Sequence, residues 1–298
     1  MKHIGKKITA FTLLSSLLYA EAKVEKIKFS GDIRFRGEGI EDASKTPPED
    51  AYIRPRIRAR LKATAQVNDW AKGVFALCSE ASAISCNKTL EGLGSSKGVY
   101  IDLAYADLKL PAGFNLKLGK MKFSHYKPAK SELIFDGDYN PEGAFLGYKK
   151  EFGALTLDVN AGEYWLVNAK EMGEDIVMTA GQIATSLKSG VNTFRLGTSY
   201  YGYSSSDLQT DLKGVKGLTV KNDKVDGKGN SLQDDAYTTG YETINAYLEA
   251  KLKLGKTPLS IYGEYAQNIA ADSLNKAFQA GVAYGTVSYT HLTLPTTD

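Results

Sequence analysis

An all-β, membrane-spanning, up-and-down antiparallel barrel is the fold class that this 298-residue sequence predicts. Three observations predict it. Apolar and polar residues alternate with period two in segment after segment. Short and long connections between those segments alternate strictly. Outside the N-terminus, charges interrupt every apolar stretch after a few residues, so no segment has the roughly 20 apolar residues that a bilayer-crossing helix needs. Lipid offers no partner for an unpaired backbone N–H or C=O, and a chain that crosses it without helices must do so as a closed sheet.

The first 22 residues are set apart as an export signal. Lys2, Lys6 and Lys7 give a positive start, the apolar run 8–18 follows, and Ala20-Glu21-Ala22 supplies the small-x-small cleavage pattern. The run is too short to anchor the chain as a helix. The mature protein is therefore expected to begin at Lys23, outside the cytoplasm, with the barrel over 23–286. The far end, 287–298, resembles translated read-through of a transposase sequencing adapter. It is excluded from fold reasoning, and the natural protein is expected to continue past Thr286 with further strands. Such a truncation would leave two open sheet edges in lipid, and poor assembly is expected of it.

Composition agrees with an exported β-protein. Eighteen Tyr and 29 Gly against 2 Cys and 8 Pro suit twisted strands and tight turns and do not suit a disulfide scaffold. The net charge of +3 falls to +1 once the signal is removed, which argues against a nucleic-acid partner.

The first strand is expected at 26–39, with Ile27, Phe29, Ile33 and Phe35 on one face and Lys28, Ser30, Asp32, Arg34 and Arg36 on the other. The second, at 52–65, places Ile53, Pro55, Ile57, Ala59, Leu61, Ala63 and Ala65 opposite Tyr52, Arg54, Arg56, Arg58, Arg60 and Lys62. A helix would scatter these charges around its surface, whereas a strand gathers them into one ladder. Pro55 cannot donate to a sheet and belongs toward the strand's outer end. Ten more strands are expected at 71–79, 98–110, 114–120, 144–150, 154–162, 176–187, 192–203, 242–254, 259–267 and 276–284. Facing is ambiguous in 98–110 and 176–187. Short turns at 67–70, 111–113, 151–153, 189–190 and 255–257 alternate with longer polar loops at 40–51, 80–97, 121–143, 163–175, 204–241 and 268–275. A Greek-key sandwich has no reason to alternate in this way.

Several of these segments together carry a resemblance. Gly31-Asp-Ile-Arg-Phe-Arg36, Arg54-Pro-Arg-Ile-Arg-Ala-Arg-Leu61 and Ala65-Gln-Val-Asn-Asp69 are joined by Tyr100-Ile-Asp-Leu-Ala-Tyr-Ala-Asp107, Leu118-Gly-Lys-Met-Lys122 and Phe135-Asp-Gly-Asp-Tyr-Asn-Pro-Glu-Gly143. In these the chain resembles the bacterial "putative porin" family of outer-membrane proteins, well over 29–203 and loosely beyond. The resemblance implies passive diffusion of small hydrophilic solutes or ions through an outer-membrane channel in contact with outer-membrane lipid. It implies no cofactor. General porins add the expectation of an oligomer, a homotrimer, which no residue here supports directly.

Two sets of residues are candidates for function. Arg34, Arg36, Arg54, Arg56, Arg58, Arg60 and Lys62 would form a basic wall facing the lumen and attract anions into it, since charged walls set a pore's ionic preference. The competing expectation is that carboxylates on later strands neutralise it. The loop 121–143, with Lys122, His125, Asp136, Asp138 and Glu142, is the candidate constriction, either folded inward opposite the wall or lying as an ordinary surface loop. Asp136-Gly-Asp138 lacks the spacing and terminal Glu of a calcium loop, so no metal site is expected. Cys78 and Cys86 stand at a strand's end and in the next loop, as a disulfide or as two thiols. His125 is the one histidine between the signal and the tail, and a lone loop histidine without a nucleophile elbow or ligand cluster does not point to an enzyme. A non-conducting structural or adhesive barrel is the alternative function.

Overall fold

In the computed structural model the alternating segments become strands with little change of boundary. The structure describes residues 24–42, 49–80, 82, 85–167, 175–204, 232–233, 236–237 and 241–285, and the expected signal and tail lie outside them. In chain order the strands are β1 (Lys26–Asp42), β2 (Glu49–Gln66), β3 (Ala71–Cys78), β4 (Lys88–Thr89), β5 (Tyr100–Lys109), β6 (Phe114–Lys120), β7 (Glu142–Phe152) and β8 (Leu155–Val167). They continue with β9 (Ile176–Ser189), β10 (Asn192–Tyr203), β11 (Leu232–Gln233), β12 (Ala236–Tyr237), β13 (Glu242–Leu254), β14 (Thr257–Asn268) and β15 (Lys276–Tyr284). The two-residue strands β4, β11 and β12 have no counterpart in the sequence reading. Among the described residues no helix is long and apolar enough to cross a membrane.

One antiparallel sheet runs β1-β2-β3-β5-β6-β7-β8-β9-β10-β13-β14-β15, with β4 beside β2 and β11–β12 as a separate hairpin. Successive long strands pair with each other throughout, which makes the topology up-and-down. β1 and β15 stand at the two ends of this order, and no ladder joins them among the described residues. At 17 and 18 residues, β1 and β2 exceed the roughly 9–11 that a tilted strand needs to cross a bilayer.

Residues directly opposite each other on antiparallel strands point to the same side of a sheet. The wall can therefore be traced strand by strand. Gln66, on the face of Arg60 and Lys62, pairs with Lys72, Lys72 with Asp107, Asp107 with Lys117, and Lys117 with Phe145. The same face continues through Gly162, Ala180, Gln182, Ser199 and Asn245 to Glu264 and Gln279. On the reverse side stand Ile33 at 88% exposure, Ile53 at 77% and Leu196 at 62%, with Leu61, Ile183, Leu248 and Val282 also exposed. An apolar surface of this extent would not be left against water, and hydrocarbon is the environment that suits it. Trp70, Phe114 and Phe152 are exposed at the short-turn end, where a barrel's aromatic girdle lies.

Both ambiguous segments have a structural reason. The β3–β5 register shifts between Ala76, opposite Leu103, and Leu77, opposite Ile101, so β5 changes face part-way along. In β9 the inward Ile176, Met178, Ala180 and Ala184 are buried and apolar, which erases the contrast with the outward Ile183 and Leu187. Pro55 lies beyond the reach of β3, which pairs with Arg60–Gln66, and its carbonyl instead accepts the Leu90 N–H at 2.9 Å. Gly119 has φ +117, and a Cβ there would run into the Ala104 carbonyl oxygen, so only glycine fits at this position near the end of β6.

Candidate functional site

The wall is built by the β1–β2 hairpin. Its register sets Arg34 opposite Arg58, Arg36 opposite Arg56, Asp32 opposite Arg60, Ser30 opposite Lys62 and Glu38 opposite Arg54. Like charges directly across a ladder repel, and two carboxylates on β1 relieve part of that. Asp32 accepts from Arg58 Nε at 2.9 Å and Arg60 Nε at 2.6 Å. Glu38 accepts from Arg54 at 2.7 and 3.0 Å, lies 3.5 Å from Arg56 Nη1, and pairs with Arg36. Among the described residues these two carboxylates are the ones paired with the seven cations, which leaves five of those seven charges uncancelled.

Among the described residues the carboxylates that pair with the wall come from β1 itself, not from later strands. Later strands pair their inward charges locally: Lys72 with Asp107 at 3.1 Å, Arg195 with Asp158 at 2.9 Å, and Lys251 with Glu249 at 3.6 Å.

A second element touches the wall. Cys78, at the end of β3, and Cys86 are joined in a disulfide, with Cα atoms 5.6 Å apart and a sequence separation of 8. β4 then takes the place beside β2 that β3 has left, pairing at Arg56 and Ile57. Between disulfide and strand sits Asn87, whose Oδ1 accepts from Arg34 Nη2 at 2.6 Å and whose backbone oxygen accepts from Arg56 Nη2 at 2.6 Å. Replacing Cys78 and Cys86 by serine should lower unfolding stability by roughly 2–3 kcal/mol for a ring of this size, read as a lower urea midpoint at unchanged slope.

The loop between β6 and β7 covers 121–141 and lies against the inner face of the sheet. Glu142, expected within it, instead opens β7 and pairs with Lys120 at 2.9 Å, because the β6–β7 ladder extends that far. The loop's root is an aromatic cluster. Phe123 packs on Phe135 at 4.5 Å between ring centres, and His125 packs on Phe145 at 5.5 Å and Tyr201 at 6.0 Å, with Met121, Tyr164 and Met178 fully buried beneath. Both ring nitrogens of His125 are buried without a hydrogen-bond partner, and burial lowers its pKa to about 4.

The loop's tip reaches the far wall. Gln182 on β9 accepts from the Tyr126 N–H at 2.8 Å and donates to the Tyr126 carbonyl at 2.9 Å. Glu249 on β13, its side chain fully buried, accepts from the Tyr126 hydroxyl, from the Ala129 N–H at 3.2 Å and from Ser260 at 2.6 Å. Ser131 donates to Gln279 on β15 at 2.8 Å, and Arg195 stacks 4.1 Å from the Tyr126 ring. Burial, then the Glu249 carboxylate, pushes the Tyr126 hydroxyl well above the ordinary phenol range. Burial lowers the Lys127 ammonium, partly offset by Glu132 and Asp136.

Among the charged residues expected to set the constriction, Lys122 is exposed, and the Asp136 carboxylate accepts the Asp138 N–H at 2.6 Å in a local turn. The sequence reading missed the residues that hold the loop: Phe123, Tyr126, Phe135 and Tyr139 from the loop, and Gln182, Glu249 and Gln279 from the wall. An excess of aromatic residues in an otherwise polar connection was the available signal for the first four.

A sheet with an apolar outside and a charged inside, entered by a long loop that crosses to the far strands, has the build of a pore-forming outer-membrane protein. The chain matches the model of the family described as "putative porin" over residues 44–239, more than half its length, and it belongs to that family. No curated protein matches it. Among solved structures it is similar to Pseudomonas putida OprB at high pH, with 12% identity over 87% of this chain and 71% of that one and a TM-score of 0.49. It is also similar to Salmonella typhi OmpF in complex with daunomycin, with 10% identity over 86% and 85% of the two chains and a TM-score of 0.43. A third is in-vitro folded OmpT of Vibrio cholerae in its trimer form, with 14% identity over 88% and 85% and a TM-score of 0.43.

Proposed function

We propose that this outer-membrane porin is a water-filled, passive channel for small hydrophilic solutes with a preference for anions. The observation that carries the reading is the β1–β2 wall, where among the described residues two carboxylates pair with the seven cations from Arg34 to Lys62. A lumen lined by uncancelled positive charge concentrates anions and repels cations, and each unit charge at about 4 Å in water is worth about 1 kcal/mol to a passing ion.

Planar-bilayer conductance with a potassium chloride gradient tests it. Stepwise, ohmic openings with a reversal potential on the chloride side are expected, and the double variant Arg56→Glu, Arg58→Glu should bring the anion-to-cation ratio to unity or below. Openings with no ionic preference in the unaltered protein would remove the filter and keep the pore. A correctly folded protein that conducts nothing would favour the structural or adhesive reading.

A further inference from the structure

Four arginines at the centre of the wall are arranged differently from the rest. Arg34 faces Arg58 and Arg36 faces Arg56, a two-by-two block of guanidinium groups on one face. Asp32 lies at one end of this block and takes Arg58 and Arg60, and Glu38 lies at the other and takes Arg54, Arg36 and Arg56, so two carboxylates are shared among five arginines. Among the described residues no carboxylate stands across the middle. Among the described residues Arg34 pairs with none, and its bond is to the neutral amide oxygen of Asn87. The Nε donors of Arg36 and Arg56 are buried with no acceptor. Buried donors without acceptors are uncommon, and an unplaced water or ion is a standing explanation for them.

The chemistry of what would satisfy this block is specific. Guanidinium forks present paired N–H groups that match two oxygens of one anion, which phosphate and carboxylate groups offer and chloride does not. Asn87 contributes in a particular way: its two oxygens hold Arg34 and Arg56 at 2.6 Å each without cancelling a charge. Its own position is fixed by the disulfide at the preceding residue and by Ser85, whose hydroxyl oxygen accepts from the Asn87 N–H and amide at 3.1 Å.

We propose that Arg34, Arg36, Arg56 and Arg58 form a binding station for oxyanions on the pore wall, with Asn87 as its positioning residue. The proposal rests on the anion-preferring reading above and adds a ligand class to it. The station selects solutes that carry a phosphate or carboxylate group over simple halides, and it slows them at one point along the wall.

Phosphorus NMR line broadening of inorganic phosphate on the detergent-folded protein tests this without requiring conduction. Saturable broadening is expected, competed weakly by chloride and more strongly by acetate if carboxylates share the station. Arg34→Gln with Arg58→Gln should weaken phosphate binding by about tenfold or more, the scale of one lost charge-assisted bond. Asn87→Ala, which changes no charge but removes the amide oxygen that holds Arg34, should weaken phosphate several-fold while the chloride reversal potential stays where it was. Absence of broadening in the unaltered, folded protein would overturn the station even if the pore prefers anions. So would phosphate binding that both sets of substitutions leave unchanged. A reversal potential without anion preference would overturn the underlying reading, and phosphate binding measured on the same sample separates the two failures.

Discussion

Replacing Glu249 by alanine is expected to free the tip of the 121–141 loop from the β13 wall and to raise single-channel conductance. One buried carboxylate accepts the Tyr126 hydroxyl and the Ala129 N–H, while Ser260 donates to it from the side. Bonds to a charged acceptor are worth about 1.5–3 kcal/mol each, so losing the two that come from the loop costs at least about 3 kcal/mol. That is a shift of roughly a hundredfold in the ratio of docked to undocked loop. The aromatic root at Phe123, His125 and Phe135 is untouched by the substitution, and the barrel should fold as before. Glu249→Gln keeps an acceptor in place and should retain most of the docking. Unchanged conductance together with unchanged protease resistance of the loop in Glu249→Ala would show that Glu249 does not hold it.

Acidification should loosen the same loop from its other end. His125 is 4% exposed among Phe123, Phe145, Tyr164 and Tyr201, with neither ring nitrogen partnered. Burial holds its pKa at about 4 against 6.5 in water, so the docked loop carries a neutral ring that the undocked loop readily protonates. The undocked form binds more protons between those two values, and docking must weaken as pH falls through that window. Above about pH 6.5 the contribution is whole, and below about pH 4 the loss is complete, at roughly 3 kcal/mol for a shift of this size. The charged group nearest this cage is the Lys117 ammonium, 5.3 Å from the Phe145 ring centre. Conductance or loop proteolysis followed from pH 7.5 to about 4 should show a transition in this window. His125→Phe, which fills the cage without a titrating group, should abolish it. A transition of equal size in that variant would assign the effect to carboxylates instead.

The arginine wall and the loop differ in how far sequence could reach them. Strand facing depends on neighbours two positions apart, so Ile33 and Arg34 could be assigned to opposite sides from β1 alone. The two failures of that local rule, in β5 and β9, fall where a register shift and a buried, apolar inner face remove the alternation. Asp32 was visible on the charged face, but its grip on Arg58 and Arg60 and that of Glu38 on Arg54 follow from the hairpin register.

Period-two patterning and the alternation of short and long connections determined, without coordinates, the twelve long strands, their up-and-down order and the gathering of seven cations on one face. These are local properties, set by backbone pleat and turn length. Only the tertiary structure decided where the loop goes and what tempers the wall. Tyr126 and Glu249 are 123 positions apart, and Ser131 and Gln279 are 148 apart. Such pairs meet because the sheet curves around the loop, and curvature summed over many strands leaves no mark in any short stretch of sequence.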